Sequence, residues 1–358
     1  MNNSKNVLNY MFGKGAISSL KEILDNKESH NNYVIYYIDE YFKNSELVNN
    51  LPIKKEDKIF FVQTQIEPKT GFINKFRDEL IKNKNNFPKA VVSIGGGATL
   101  DTGKAVSNLL TNSGNAEDYQ GWDLVENPGI YKIGIPTVSG TGAEASRTCV
   151  MTNEKSGLKL GMNSDFTIYD QLILDPDLTK TVPKEQYFYS GMDTYLHCIE
   201  SLNGEFRNSI GDAFSQQAIS LCREVFLSED MMSDENREKL MVASYLGGCA
   251  IANSFVGIIH PFSAGLSVVL DTHHCIGNCI TMNAMEEFYP KEFEEFKLMA
   301  EKQGIKIPKG IAANLDEETY LKLYNSTVIH EKPLTNALGN KFKDILTYEK
   351  VTELFKRM

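Results

Sequence analysis

A chain of 358 residues is too long for one ordinary core and too short for three, so two domains are expected. Its 42% hydrophobic, 10% aromatic and 23% charged residues are globular proportions, which exclude a disordered or fibrous chain. A formal charge of −10 with no basic stripe argues against nucleic-acid binding.

The N-terminal stretch MNNSKNVLNYMFGKG lacks the apolar core of a signal peptide. No window reaches the roughly 18 uninterrupted apolar residues of a membrane span, so a cytoplasmic protein with no membrane partner is expected. Up to about residue 180, short β-branched or aromatic runs alternate with helical stretches, the pattern of a mostly parallel sheet. Core strands are predicted at 33–38, 59–63, 90–94 and 131–136, followed by 148–152 and 172–174. Helices are predicted at 17–24, 70–81 and 100–110, and the lysines and asparagines of 82–89 read as a solvated helix end and loop. After Pro183 the strand signals fade. Apolar residues at three- and four-residue spacing predict helices at 186–202, 212–226, 236–255, 276–288 and 292–302. The expected fold is therefore an α/β domain over 1–178, to which the glycine turns below assign dinucleotide binding, and an all-α domain over 179–358. The hinge falls where Pro176 and Pro183 interrupt both patterns. Six cysteines scattered in mostly apolar contexts read as reduced thiols.

Strand 90–94 runs into Gly95-Gly96-Gly97-Ala98-Thr99-Leu100-Asp101, which places glycines before a helix start. Such a turn lets a backbone approach a phosphate at the helix N-terminus, although it also serves as a tight strand-to-helix turn, and it lacks the GxGxxG fingerprint. A second turn, Pro136-Thr137-Val138-Ser139-Gly140-Thr141-Gly142, follows strand 131–136. Two such turns at the strand carboxyl ends can hold the two phosphates of a dinucleotide. Asp39 ends the first core strand, where it either accepts from a ribose hydroxyl and favours NAD over NADP, or simply opens the next turn.

In the helical half Asp193 and His197 stand four apart, on one helix face a turn apart. His260 and the pair His273-His274 follow at helix edges, which makes an N/O donor set suited to Fe(II), Zn(II) or another divalent first-row ion. A rival set is His274, Cys275 and Cys279, without a second cysteine pair to complete it. Arg147 is expected about one and a half turns into a helix begun at the second glycine turn, gripping a substrate carboxylate or paired with Glu144.

The motifs GKGA, GGGATLDTGKAV, IPTVSGTGAE, GMDTYLHCIES and HHCIGNCI, together with Glu67-Pro68, Leu174-Asp175-Pro176 and His260, resemble the iron-containing (group III) alcohol dehydrogenase family, related in fold to glycerol dehydrogenase and dehydroquinate synthase. The resemblance implies a homodimeric oxidoreductase that moves a hydride between an alcohol and NAD or NADP with one divalent metal ion, Fe(II) or Zn(II). It places Gly96, Gly97, Asp101, Thr137, Ser139, Thr141 and Lys159 at cofactor positions, and Asp193, His197, His260 and His274 at ligand positions. Two positions depart from the family: Ala264 stands where a second histidine is common, and Cys275 where a glycine is common. His273 then reads either as a proton carrier or as a surface histidine. Within the family, SGTGAEASRTCV, GMNSD and YSGMDTYLHCIESLNG resemble members that oxidise the terminal C8 hydroxyl of 3-deoxy-manno-octulosonate to an aldehyde in lipopolysaccharide biosynthesis. That likeness implies a PLP aminotransferase as pathway partner. Other readings are a short-chain alcohol or diol dehydrogenase, a metal-dependent oxidase using dioxygen, and a lyase using NAD transiently.

Overall fold

The computed structural model describes residues 5–29, 32–64, 67–81 and 87–358; of the lysine-rich stretch, 82–86 lie outside the described residues. The chain forms two compact units, one of the described residues up to Val138 with Ala143–Thr181, the other of Ser139–Gly142 with Val182–Met358.

The first unit is built on six parallel strands: β1 (Asn9–Phe12), β2 (Val34–Asp39), β3 (Lys58–Val62), β4 (Ala90–Gly95), β6 (Lys132–Pro136) and β9 (Gln171–Leu174). Their order is β1-β9-β6-β4-β2-β3, and β5 (Gly121–Trp122), β7 (Thr148–Asn153) and β8 (Leu158–Asn163) form a small second sheet. Alternation along β2 explains the layering. Tyr33, Ile35 and Tyr37 join one apolar cluster, with Ile73 and Leu80 of α3 (Thr70–Ile81) and Ala105, Val106 and Leu109 of α4 (Gly97–Leu109). Val34, Tyr36 and Ile38 point the other way, to Leu20 and Leu24 of α1 (Leu20–Asn26). Both faces are covered, as a parallel sheet requires. A one-turn helix, α2 (Glu46–Asn49), lies between β2 and β3 in the chain.

The edge strand β1 was not predicted because its four residues are all exposed and show no alternation. Helix α4 begins three residues earlier than expected. Gly96 takes an extended N-cap conformation and its carbonyl accepts from the N–H groups of Thr99 and Leu100, so the glycines that weakened the helical signal are themselves its start.

From Lys184 the described residues carry helices and no strand: α5 (Lys184–Leu202), α6 (Ser209–Phe226), α7 (Asp234–Asn253), α8 (Ile259–Leu270), α9 (His274–Met282), α10 (Pro290–Gln303), α11 (Glu317–Val328), α12 (Glu331–Leu338), α13 (Phe342–Ile345) and α14 (Tyr348–Lys356). Helix α5 is buried without a break over 187–201, which makes it the centre of the unit's single apolar cluster. The helix predicted at 276–288 stops at Met282, and tight turns lead to Pro290, the first residue of α10. The residue before a proline resists the helical region, so a break there is expected. No helix among the described residues is long and apolar enough to cross a membrane.

Candidate functional site

In the first unit, connections leave β2 and β4 in opposite directions along the sheet, so the carboxyl ends of these neighbours form a switch point. Asp39 and the Gly95-Gly96-Gly97 turn meet there. A Cβ built on Gly95 would lie 3.1 Å from the Cβ of Asp39 and 2.6 Å from Thr99 Oγ1, so the turn packs this closely only with glycine. The N–H groups at the start of α4 face the same edge and supply the positive dipole end that an anion requires.

Asp39 also plays its local part: one carboxylate oxygen accepts from the Tyr41 N–H at 3.0 Å and from Thr64 Oγ1 at 3.3 Å. Burial raises its carboxyl above the ordinary value, against the lowering effect of those bonds. Asp101, a turn into α4, accepts the Val150 N–H at 2.9 Å, and burial pushes its carboxyl up to about 6. Lys104, fully buried, donates to the carbonyls of Ser146 and Thr148 at 3.0 and 2.9 Å and so pins α4 to the start of β7. Lys159 is paired with Glu67 at 2.8 Å, and the Thr137 N–H donates to the Gly95 carbonyl at 3.0 Å. Gly96, Gly97 and Asp39 therefore share one edge, whereas the side chains of Asp101 and Lys159 are tied into their own unit.

The second glycine turn behaves differently from expectation. Ser139, Gly140, Thr141 and Gly142 belong to the helical unit, where the N–H groups of Gly140 and Gly142 both donate to Ser244 Oγ, at 2.7 and 3.3 Å. Thr194 Oγ1 donates to the Gly140 carbonyl at 2.6 Å. Both glycines have positive φ, +142° and +63°, and a Cβ would meet the Ser190 carbonyl at 1.7 Å or Gly248 Cα at 2.7 Å. These glycines serve close approach to α5 and α7, and two of the donors expected for a phosphate are already used.

Arg147 is a second correction. Residues 143–147 form a turn, not a helix, because β7 starts at Thr148 and the Arg147 carbonyl already accepts from the Ser164 N–H at 2.9 Å. Its guanidinium bonds Asp165 at 3.1 Å through Nε and Asp123 through Nη2, two carboxylates of its own unit.

In the helical unit, α5 carries Asp193, His197 and Glu200 at spacings of four and three, which puts them on one face. The Asp193 carboxylate is fully buried and three imidazoles converge on it. His260 Nε2 and His197 Nε2 lie 3.2 and 3.5 Å from Oδ1, and His274 Nε2 lies 3.7 Å from Oδ2. Ligand atoms of Asp193, His260 and His274 all lie within 4.8 Å of one another, and His197 stacks on His260 with ring centroids 4.5 Å apart. For bonds of about 2.1 Å, neighbouring donors around one tetrahedral ion stand about 3.4 Å apart, so Asp193, His260 and His274 are near enough to share one first-row cation, whereas His197 touches Asp193 but falls outside that close group. Buried His197 Nδ1 has no hydrogen-bond partner among the described residues. His274, Cys275 and Cys279 are not brought together as a metal-binding group among the described residues. His273 is exposed at the N-cap of α9, next to His274.

Two functional residues escaped the sequence reading. Glu200 accepts from His260 Nδ1 through one oxygen and from the Ile259 N–H through the other at 2.5 Å. A carboxylate behind an imidazole fixes the ring and its tautomer. Asn278, one turn beyond His274, donates to Asp193 Oδ1 at 2.7 Å. The available signal was spacing: Glu200 is three residues beyond His197, and Asn278 four beyond His274. The electrostatics follow. Burial alone would raise Asp193, but His197, His274 and His260 together hold its carboxyl below the ordinary range. Burial pushes His197 down to about 4. Burial also acts to lower His260, yet Glu200 and Asp193 raise it to about 10.

A parallel α/β unit with a glycine turn at its switch point, and a helical unit with a buried Asp/His cluster, are the architecture of a nucleotide- and metal-linked enzyme. Family models agree: residues 8–176 match iron-containing alcohol dehydrogenase and 187–325 match the C-terminal domain of the Fe-containing alcohol dehydrogenase family. The chain belongs to the iron-containing alcohol dehydrogenase family of oxidoreductases. It is 34% identical over 218 residues to a sulfoacetaldehyde reductase of Bilophila wadsworthia, covering 60% of this chain and 55% of that one. It is 30% identical over 240 residues to the NAD-dependent methanol dehydrogenase of Bacillus methanolicus, covering 66% and 62%. These matches thus span just over half of the length of such relatives. The crystal structure of sulfoacetaldehyde reductase from Bifidobacterium kashiwanohense in complex with NAD+ shares the fold, with a TM-score of 0.81 at 21% identity over 99% of this chain and 98% of that one.

Proposed function

We propose that this protein transfers a hydride between a small primary alcohol and NAD, with one divalent ion, Fe(II) or Zn(II), held by Asp193, His197, His260 and His274. The convergence of a fully buried carboxylate with three imidazoles is the observation that carries this reading. A cation bound there supplies Lewis acidity that lowers the pKa of a substrate hydroxyl. The protein's own groups do the rest. Glu200 holds His260 Nε2 toward Asp193, and burial of Asp193 and His197 keeps bulk water from competing for the donor set. The start of α4 takes the cofactor's phosphates, with Gly96 and Gly97 giving the approach. Asp39 accepts from the adenine ribose and disfavours a 2′-phosphate. His273 Nε2 or Nδ1, exposed beside His274, carries the released proton to solvent.

For the substrate, we infer an alcohol that bears an anionic group, with the terminal hydroxyl of 3-deoxy-manno-octulosonate as the named candidate. The likeness of three sequence stretches supports this, as does a relative named for sulfoacetaldehyde, another anionic aldehyde. Arg147 is occupied and is not assigned to that anion. The short-chain alcohol reading is favoured by the methanol dehydrogenase relative.

One experiment separates these readings: metal content is measured, then NADH absorbance is followed with 3-deoxy-octulosonate, isethionate, methanol and 1,3-propanediol, using NAD and NADP in parallel. One ion per chain, a preference for NAD and the highest kcat/KM with an anionic alcohol are expected. Asp193→Asn is expected to lose the ion and turnover while remaining folded. A neutral alcohol preferred to every anionic one would replace the substrate assignment, and full activity of Asp193→Asn without metal would remove the metal assignment.

A further inference from the structure

His260 is the second residue of α8, and the connection that leads to it from α7, residues 254–258, contains a backbone outlier. Phe255 has φ +112°, a conformation that bulky side chains avoid and glycine adopts freely. Such a residue persists only where its surroundings over-determine it, and here they do. The Ser254 hydroxyl pairs with that of Ser201, and the Ile259 N–H and His260 Nδ1 meet the Glu200 carboxylate, so α5 holds the connection at both ends. Between those ends the hold comes from α12. Asn336, wholly buried there, donates through Nδ2 to the carbonyls of Phe255 and Val256 at 3.2 and 3.0 Å, and its Oδ1 accepts from the Phe206 N–H at 2.8 Å. Lys332, one turn earlier on the same helix, sets its ammonium 4.1 Å from the centre of the Phe255 ring.

We propose that Asn336 is a positioning residue for the metal centre: it holds the strained turn at Phe255 and through that turn sets the reach of His260. The inference rests on the metal reading above. The amide has one workable orientation, since turning it over would set its oxygen against two carbonyl oxygens and its NH2 against an N–H. It is also hemmed in. The Glu205 N–H donates to the Asn336 carbonyl at 2.7 Å, and a Cβ on Gly204 would lie 2.3 Å from Asn336 Oδ1. Without the side chain, two carbonyls lose their donors and Phe255 is released toward negative φ. The peptide planes between Phe255 and His260 then turn, and His260 Nε2, now 3.2 Å from Asp193 Oδ1, moves off the centre. Glu200 limits that movement at His260 itself, so the loss is partial.

The test uses Co(II) alone as probe, on the full chain made metal-free. Wild type is expected to bind one Co(II), and Asn336→Ala to bind it about tenfold more weakly, the low end of the range for partners behind a ligand. Glycine holds a positive φ without the clamp, so Asn336→Ala/Phe255→Gly is expected to return to within about twofold of Phe255→Gly alone. Leu334→Ala, a core truncation on the same helix, is expected to lower the urea midpoint and keep wild-type affinity. Wild-type affinity in Asn336→Ala, a loss that Phe255→Gly does not reverse, or an equal loss in Leu334→Ala overturns the proposal and leaves the metal site standing. No stoichiometric Co(II) in wild type overturns both. Should Asn336→Ala not fold, Asn336→Ser decides, since its shorter side chain cannot span both carbonyls: a loss under about threefold overturns the proposal, and a larger one that Phe255→Gly reverses upholds it.

Discussion

At the scale of single residues, the most consequential group is one that binds nothing directly. Glu200 ties His260 Nδ1 to the backbone of the same segment through the Ile259 N–H, so the direction of Nε2 is set before any ion arrives. Carboxylates in this position typically account for 10- to 100-fold in metal affinity. Glu200→Gln keeps the shape and one acceptor while removing the charge, and about a tenfold weaker affinity is expected; Glu200→Ala should lie nearer a hundredfold. Competition with a chromophoric chelator measures both, and unchanged affinity in the alanine variant would show that His260 is oriented by packing alone. The same principle of prior commitment applies to Arg147, whose Nη2 and Nε are already paired with Asp123 and Asp165.

At the scale of elements, α5 and the Ser139–Gly142 turn form one construction. The turn is held by Ser244 of α7 and Thr194 of α5, and Thr194 is the immediate neighbour of Asp193. Gly140 is where this construction is least tolerant. An alanine there would need φ near +142° and would put its Cβ 1.7 Å from the Ser190 carbonyl oxygen. Backbone strain at such a residue costs on the order of 1 to 3 kcal/mol, and the clash adds to it. Gly140→Ala is therefore expected to lose at least about 3 kcal/mol of stability, read as a lower urea midpoint, and to weaken metal binding because α5 must shift. A loss under about 1 kcal/mol would show that the turn moves freely against α5.

At the scale of the whole molecule, each unit has its own apolar core and its own ligand chemistry. An ion that binds only the folded helical unit stabilises it by about 2.7 kcal/mol at one hundred times its Kd. Thermal unfolding with Fe(II) or Zn(II) in that excess should occur at a higher temperature than with chelator, and identical curves would contradict binding coupled to folding. Much of this organisation was legible beforehand. The change from two-residue to three- and four-residue periodicity marked the passage from sheet to helices, because burying one face of an element imposes its period on the sequence. The spacing of Asp193 and His197 likewise fixed a common face, and the glycines at 95–97 marked a close approach.

What local sequence could not decide was which partner each polar group would take, since that depends on segments brought together only by folding. Glu200 and Asn278 looked like ordinary helix residues, yet they meet His260 and Asp193 across 60 and 85 residues of chain. Gly140 and Gly142 looked like a second phosphate turn, and packing on α5 and α7 gave them another task. Arg147 looked available until Asp165, just beyond β8, and Asp123 arrived beside it. Periodicity records how much of a residue is buried, and a sequence carries that record locally. Pairing is set by distances between remote segments, and only the tertiary structure contains those.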